Sequence, residues 1–237
     1  MTDKKLCIFN WSGGKDSTLA LHYALQDETI EIKYLVTTVT EKYNRVSMHG
    51  VRESLLLKQA ESIGIPLYQI RLPEMPDMET YDNTMRNYLS KFKDEGITYS
   101  IFGDIFLEDL RKYREEKLSE MGLKAIFPLW KKDTTLLIDE FLKLNYKTII
   151  VCAQQSLQYI CGKVIGKDLI SSLPKNIDPC GENGEFHTFA FEGPIFKKII
   201  NFELGELVYR TYNNPKLDNE SGSKSEDFGF WYIDLVN

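Results

Sequence analysis

The sequence predicts an α/β protein: a parallel five-stranded sheet with helices on both faces, followed by a smaller α+β unit. Short β-branched or apolar runs alternate with longer amphipathic stretches through residue 127, the pattern of successive βαβ units. Gly64, Gly96 and Gly122 each follow an amphipathic stretch, where a helix needs a left-handed residue to stop. The rhythm then breaks at Pro128-Leu129-Trp130. These boundaries predict one domain over residues 1–127 and a second over 128–237.

The elements follow in order. Residues 6–10 are apolar and form the first strand, and residues 17–25 form a helix with one apolar face. Residues 31–39 are rich in β-branched side chains and make the second strand. Residues 51–63 place Val51, Leu55, Leu56 and Ile63 on one helical stripe, closed by Gly64 and Pro66. Residues 67–72 form strand three, 78–95 a long helix, 99–102 strand four, 108–121 a helix and 124–127 strand five. Residues 134–144 are helical and 146–152 extended. Beyond Lys163 the chain is irregular, with an aromatic β-type run at 185–191 and a polar stretch at 213–227 that reads as a mobile loop. Ligands of such sheets bind beyond the carboxyl ends of the strands, so the loops at 11–15, 37–39 and 103–104 are expected to converge.

Composition narrows the class. The 237 residues are 43% hydrophobic and 27% charged, ordinary values for a globular protein. No run approaches the roughly 18 apolar residues of a membrane span, and the first residues lack a signal-peptide core; the expectation is cytoplasmic. A net charge of −6 disfavours a broad nucleic-acid surface. Cys7, Cys152, Cys161 and Cys180 have no metal-site or redox-motif spacing.

The chemistry concentrates at Ser12-Gly13-Gly14-Lys15-Asp16-Ser17, where a strand opens into a helix. Glycines let backbone approach a phosphate, and a helix N-terminus offers free N–H groups and a positive dipole end. Lys15 adds charge, while Ser12 and Ser17 add hydroxyl donors. Asp16 fits a metal ion or a helix cap. The spacing matches neither a Walker loop nor a dinucleotide fingerprint. It resembles the PP-loop of N-type ATP pyrophosphatases, which implies cleavage of ATP between the α and β phosphates.

Two further constellations stand out. Residues 178–188 bring together carboxylates, a thiol, an amide and an imidazole; a strand there would put Glu185 and His187 on one face, able to hold an ammonium or move a proton. On the 108–121 helix, Arg114 shares a stripe with Leu107, Leu110, Leu118 and Met121, and an inward Arg needs an anionic partner. Arg111 on the neighbouring face suits an i,i+4 pair with Glu115, as Glu108 does with Lys112. His49 either faces the nucleotide edge or caps a turn, and His22 is structural.

The order of these segments resembles the diphthine–ammonia ligase family of PP-loop pyrophosphatases, whose Glu-Gly-Gly-Glu-Phe-Glu-Thr motif aligns with residues 182–188. Here Asn183 and His187 replace Gly and Glu, and Cys180-Gly181 before the motif resembles a bacterial branch. The resemblance implies a HUP/Rossmann-like domain, ATP with Mg²⁺, and adenylation of an acceptor carboxylate followed by amide formation with ammonia. It implies nucleotide binding by Ser12, Gly13, Gly14, Lys15, Asp16, Ser17, Val36, Thr37, Thr38, Gly103 and Asp104, with Asp16 and Asp104 on the metal. Catalysis falls to Lys15, Arg114, Glu182, Glu185 and His187, and acceptor contacts to His49, Arg111, Arg114, Cys180, Gly181, Asn183 and Gly184. The acceptor is unnamed, and a homodimer is admitted. An RNA-modifying PP-loop enzyme and a nucleotide-binding sensor are the alternatives; the lone Cys180 and the retained Lys15 weigh against each in turn.

Overall fold

The computed structural model describes residues 4–46, 50–212 and 228–237. His49 and the stretch 213–227 lie outside them. The first sheet grows around β1 (Lys5–Asn10), whose Cys7, Ile8 and Phe9 are buried because helices cover both sides. On one edge β1 pairs in parallel with β2 (Ile30–Thr40), which pairs in turn with β4 (Leu67–Leu72). On its other edge lie β5 (Tyr99–Ile101) and then β6 (Lys124–Ile126). A two-residue strand, β3 (Arg45–Val46), runs antiparallel to the end of β2. The parallel order is therefore β4-β2-β1-β5-β6, and the chain reverses direction across the sheet between β1 and β5. That switch point opens a crevice at the strand ends.

Four helices flank this sheet. α1 (Lys15–Gln26) and α2 (Glu53–Ile63) cover the face that carries Cys7, Phe9 and Leu35. α3 (Met78–Asp94) and α4 (Glu108–Glu120) cover the face that carries Ile8, Val36 and Ile70. Gly64 ends α2 at φ +87°, with its N–H bonded to the Ala60 carbonyl, as the sequence predicts. Asp77 caps α3 through the Thr80 N–H.

The second sheet is antiparallel, in the order β8 (Phe186–Glu192), β7 (Lys147–Gln154), β10 (Phe228–Val236), β9 (Glu203–Tyr212). β7 is nearly all buried, against α5 (Thr134–Lys143). A short α6 (Lys167–Ser171) follows. The chain expected to be irregular beyond Lys163 holds β9 and β10. β9 is an edge strand with Leu204 and Leu207 exposed, so it lacks the in–out alternation that betrays a half-buried strand. Ile149 and Phe189 of this sheet join the same core cluster as Phe9 and Leu21 of the first.

Candidate active site

The loop between β1 and α1 is braced from three sides. Gly13 sits at φ +79°, and a Cβ there would meet Gln59 Oε1 at 2.7 Å. Ser17 Oγ and Thr18 Oγ1 both donate to the Gly14 carbonyl, and Ser12 Oγ donates to Ser17 Oγ. Strand β8 docks directly on this loop: Ala190 N–H donates to the Gly13 carbonyl at 2.8 Å, and Lys15 N–H to Thr188 Oγ1 at 3.0 Å. Gln59, wholly buried on α2, joins the pieces. It accepts from Trp11 Nε1 at 2.9 Å and donates to the carbonyls of Gly13 at 3.0 Å and Ala190 at 2.6 Å. Sequence reading missed Gln59. The available signal was an amide on the stripe shared by Leu55, Leu56 and Ile63, where a polar group demands partners.

Lys15 is 3% exposed. Its ammonium pairs with Asp16 at 2.8 Å and donates to the Cys180 carbonyl. Burial pulls its pKa down, but Asp16 and the other nearby acids outweigh that and hold it above the ordinary lysine value. Lys15 therefore stays protonated at the head of α1.

The segment 178–188 folds around two carboxylates with different employment. Glu185 accepts from Asp178 N–H, Asn183 N–H and Asn183 Nδ2 at 2.9–3.1 Å and is 4% exposed. It braces its own loop and does not line the cavity described below, so the expected shared open face with His187 does not form. Glu182 instead reaches across to the loop after β5, accepting from Ile105 N–H at 2.8 Å. Burial and the charge of Asp16 push its carboxyl up to about 7. His187 moves the other way: burial and Lys15 lower it to about 4, so its ring is neutral at pH 7. The Cys180 thiol donates to the Thr134 carbonyl at 3.4 Å, and burial raises its pKa, the opposite of an activated thiolate.

On α4, Arg114 Nη2 lies 3.3 Å from Asp104 Oδ1, and its guanidinium covers the Phe102 ring at 4.4 Å. Arg114 Nε and Asp104 Oδ2 have no hydrogen-bond partner among the described residues. Arg111 pairs with Glu115 at 2.8 Å as expected and stacks on Phe127 and Trp130, away from the cavity. Glu108 bonds Lys131 rather than Lys112. The expected buried stripe of α4 is only partly so: Leu118 is buried, Leu110 and Met121 are half-buried and Leu107 is 37% exposed.

These groups surround one cavity of about 910 Å³ at the switch point. The β1–α1 loop contributes Ser12, Gly14, Lys15, Asp16 and Ser17, and β2 contributes Val36, Thr37 and Thr38. Gly103, Asp104 and Arg114 come from the far side of the switch, and Gly181, Glu182, Asn183, Gly184 and His187 from the second unit. Gly13, Arg111, Cys180 and Glu185 stand behind this wall. A Cβ on Gly103 would meet the Ser17 nitrogen at 3.1 Å, so the two loops touch at this glycine. Among the described residues no group of three or more His, Cys, Asp or Glu side chains could hold a metal. Asp16 and Asp104 fit the other arrangement, a Mg²⁺ carried in by phosphates and held by one or two carboxylates.

Family models match nearly the whole chain: the diphthamide synthase N-terminal domain over residues 5–125 and the diphthamide synthase C-terminal domain over 133–215. The chain belongs to the diphthine–ammonia ligase family. A diphthine–ammonia ligase of Schizosaccharomyces pombe is 25% identical over 229 residues, 84% of this chain and 37% of that protein. One from Mus musculus is 25% identical over 171 residues, 63% of this chain and 62% of that protein. The chain thus spans from about a third to under two thirds of the family relatives it matches. A solved U34-tRNA thiolase from Methanococcus maripaludis is 20% identical, with a TM-score of 0.38 over 61% of this chain and 58% of that one. No helix of the described residues is long and apolar enough to cross a membrane.

Proposed function

We propose that this chain is an ATP-dependent amide ligase: it transfers AMP to an acceptor carboxylate, releases pyrophosphate, and lets ammonia displace AMP. The observation that carries this reading is the direct seat of β8 on the phosphate loop, through Ala190 N–H to Gly13 and Lys15 N–H to Thr188. It puts an anion cradle, an Arg–Asp pair and a carboxylate with a near-neutral pKa around one cavity. Residues 1–127 bind ATP in this reading, and residues 128–237 supply the segment that closes over it.

The phosphates lie on the loop of Ser12 to Ser17, with the adenine against the end of β2 at Val36, Thr37 and Thr38. Lys15 neutralises charge that develops on the departing pyrophosphate. Asp16 and Asp104 would hold a Mg²⁺, which would supply further charge neutralisation. Arg114 orients the acceptor carboxylate, whose oxygen attacks the α-phosphorus as pyrophosphate leaves. Glu182, with its carboxyl near 7, takes the proton that ammonium must lose before nitrogen attacks the acyl carbon and AMP departs. His187 presents a neutral ring to the same space, and Glu185 acts through the loop it braces. A buried, unactivated Cys180 supports amide chemistry over sulfur transfer.

The test is product analysis. Incubation with ATP, ammonium and a carboxylate-bearing cell fraction is expected to yield AMP, pyrophosphate and a new amide in equal amounts by mass spectrometry. Release of ADP and phosphate would overturn the reading.

A further inference from the structure

The cavity continues well past the phosphate loop. Its inner part runs between α3 and α4 over the sheet face. Ile8, Val36 and Ile70 make the floor, with Met85, Leu89 and Phe92 on the α3 wall and Leu110, Leu118 and Met121 on the α4 wall. The two helices are tied by polar bonds whose residues also line one side of this space: Tyr113 hydroxyl to Asp82 at 2.6 Å, Lys117 to Asp82 at 2.5 Å and Arg86 to Glu120 at 3.0 Å. Their apolar stripes face this space and leave Met85, Leu110 and Met121 only half-buried. Leu118 and Met121 stand one and two turns beyond Arg114, about 6–10 Å along the helix at 1.5 Å per residue. The space is mainly apolar, with Asp82, Arg86, Lys117 and Glu120 along one side, a lining that suits a ligand with an apolar body. At its mouth stands Arg114, with its Nε lacking a partner among the described residues.

We infer that the chamber holds the body of the acceptor, and that the acceptor is a carboxylic acid carrying an elongated apolar group. The carboxylate sits at Arg114, facing the phosphate loop, and the apolar body lies between α3 and α4. This inference rests on the ligase reading for the reaction and on the chamber for the substrate class. Wall and mouth act together: a short polar acid leaves the apolar floor uncovered, and an apolar molecule without a carboxylate leaves Arg114 Nε unpartnered. The nucleotide keeps the end of β2 at Thr37 and Thr38, so acid and nucleotide meet over Val36 and bind side by side.

The experiment is calorimetric titration of the full chain, loaded with α,β-methylene-ATP and Mg²⁺, with acetate, butanoate, hexanoate, octanoate and 3-phenylpropanoate. Affinity is expected to rise about fourfold per buried methylene, from the transfer free energy of a CH₂ group. Leu118→Trp and, independently, Met121→Trp fill the inner end and are expected to stop the rise at shorter chains. Affinity for the nucleotide analogue should stay within twofold of the parent, which also reports that each variant folds. A flat response to chain length, an unchanged ladder in both folded variants, or competition between acid and analogue would overturn the inference. A clear ladder with no AMP formed from ATP, ammonium and any of these acids would uphold the chamber and sink the ligase reading.

Discussion

Within the site, Lys15 and Glu182 show how one crowd of acids acts on two charges: it raises both pKa values, which keeps Lys15 charged and favours a neutral Glu182. Lys15 keeps its proton because acids crowd it, whereas Glu182 is pushed up to about 7 by burial and by Asp16. Lys15→Ala is expected to lower AMP formation at least a hundredfold, the scale of one lost electrostatic contact in a transition state, measured as pyrophosphate release. In the proposed role Glu182 acts as the carboxylate, so the amide-forming rate should climb as pH rises through about 7. Glu182→Gln removes that rising limb from the pH–rate profile. Sequence reading grouped Glu182, Glu185 and His187 as equivalent candidates, because residue type and spacing cannot say which N–H groups a carboxylate meets. Three donors within its own loop take up Glu185, while Glu182 meets a loop nearly eighty residues away.

Between elements, the seam of α2, β8 and the phosphate loop is made by Gln59. Its amide holds three partners in a space with no water access, so Gln59→Leu strands the Trp11 N–H and weakens two carbonyl contacts. At about 1 kcal/mol per bond and 1–3 for a stranded buried donor, a loss of roughly 2–4 kcal/mol is expected. For a chain of this size that lowers Tm by about 5–15 °C, measured by thermal melting. The parallel strands and their helices were legible in sequence because each has one dominant period. What fills the space between elements was less so: the stripe on α4 marked the face turned from solvent only in part, with Leu107 exposed, and periodicity cannot tell packed core from the wall of a cavity. Leu110 and Arg114 therefore point where the pattern said, into a chamber rather than onto α3.

Across the whole molecule, the two sheets are tied at a second place by Asp234 on β10, which accepts from Arg45 at 2.8 Å and Arg52 at 2.6 Å. Burial opposes its charge, but the two guanidiniums prevail and hold its carboxyl down at about 2. A carboxylate with a folded pKa below its unfolded value stabilises fully above the unfolded value, near 3.9. That contribution disappears as pH falls from about 4 to about 2. His187 acts in a separate window: lowered to about 4 from 6.5, it favours the folded state above 6.5 and withdraws that support as pH falls to 4. Asp234→Asn should therefore flatten the stability curve between about pH 4 and 2 in denaturant titrations, with the slope between 6.5 and 4 unchanged.

The bond from Lys15 to Thr188 joins residues 173 apart in the chain, and this separation has a consequence in time. A ribosome adding roughly 5–20 residues per second makes the phosphate loop about 10–35 s before the strand that supports it. Through that interval the nascent protein has its glycines and its lysine but no β8 to hold them, and Gln59 has only part of its bonding complement. On the ligase reading, the nucleotide site is therefore completed late in synthesis, once β8 has been made and has docked on the loop.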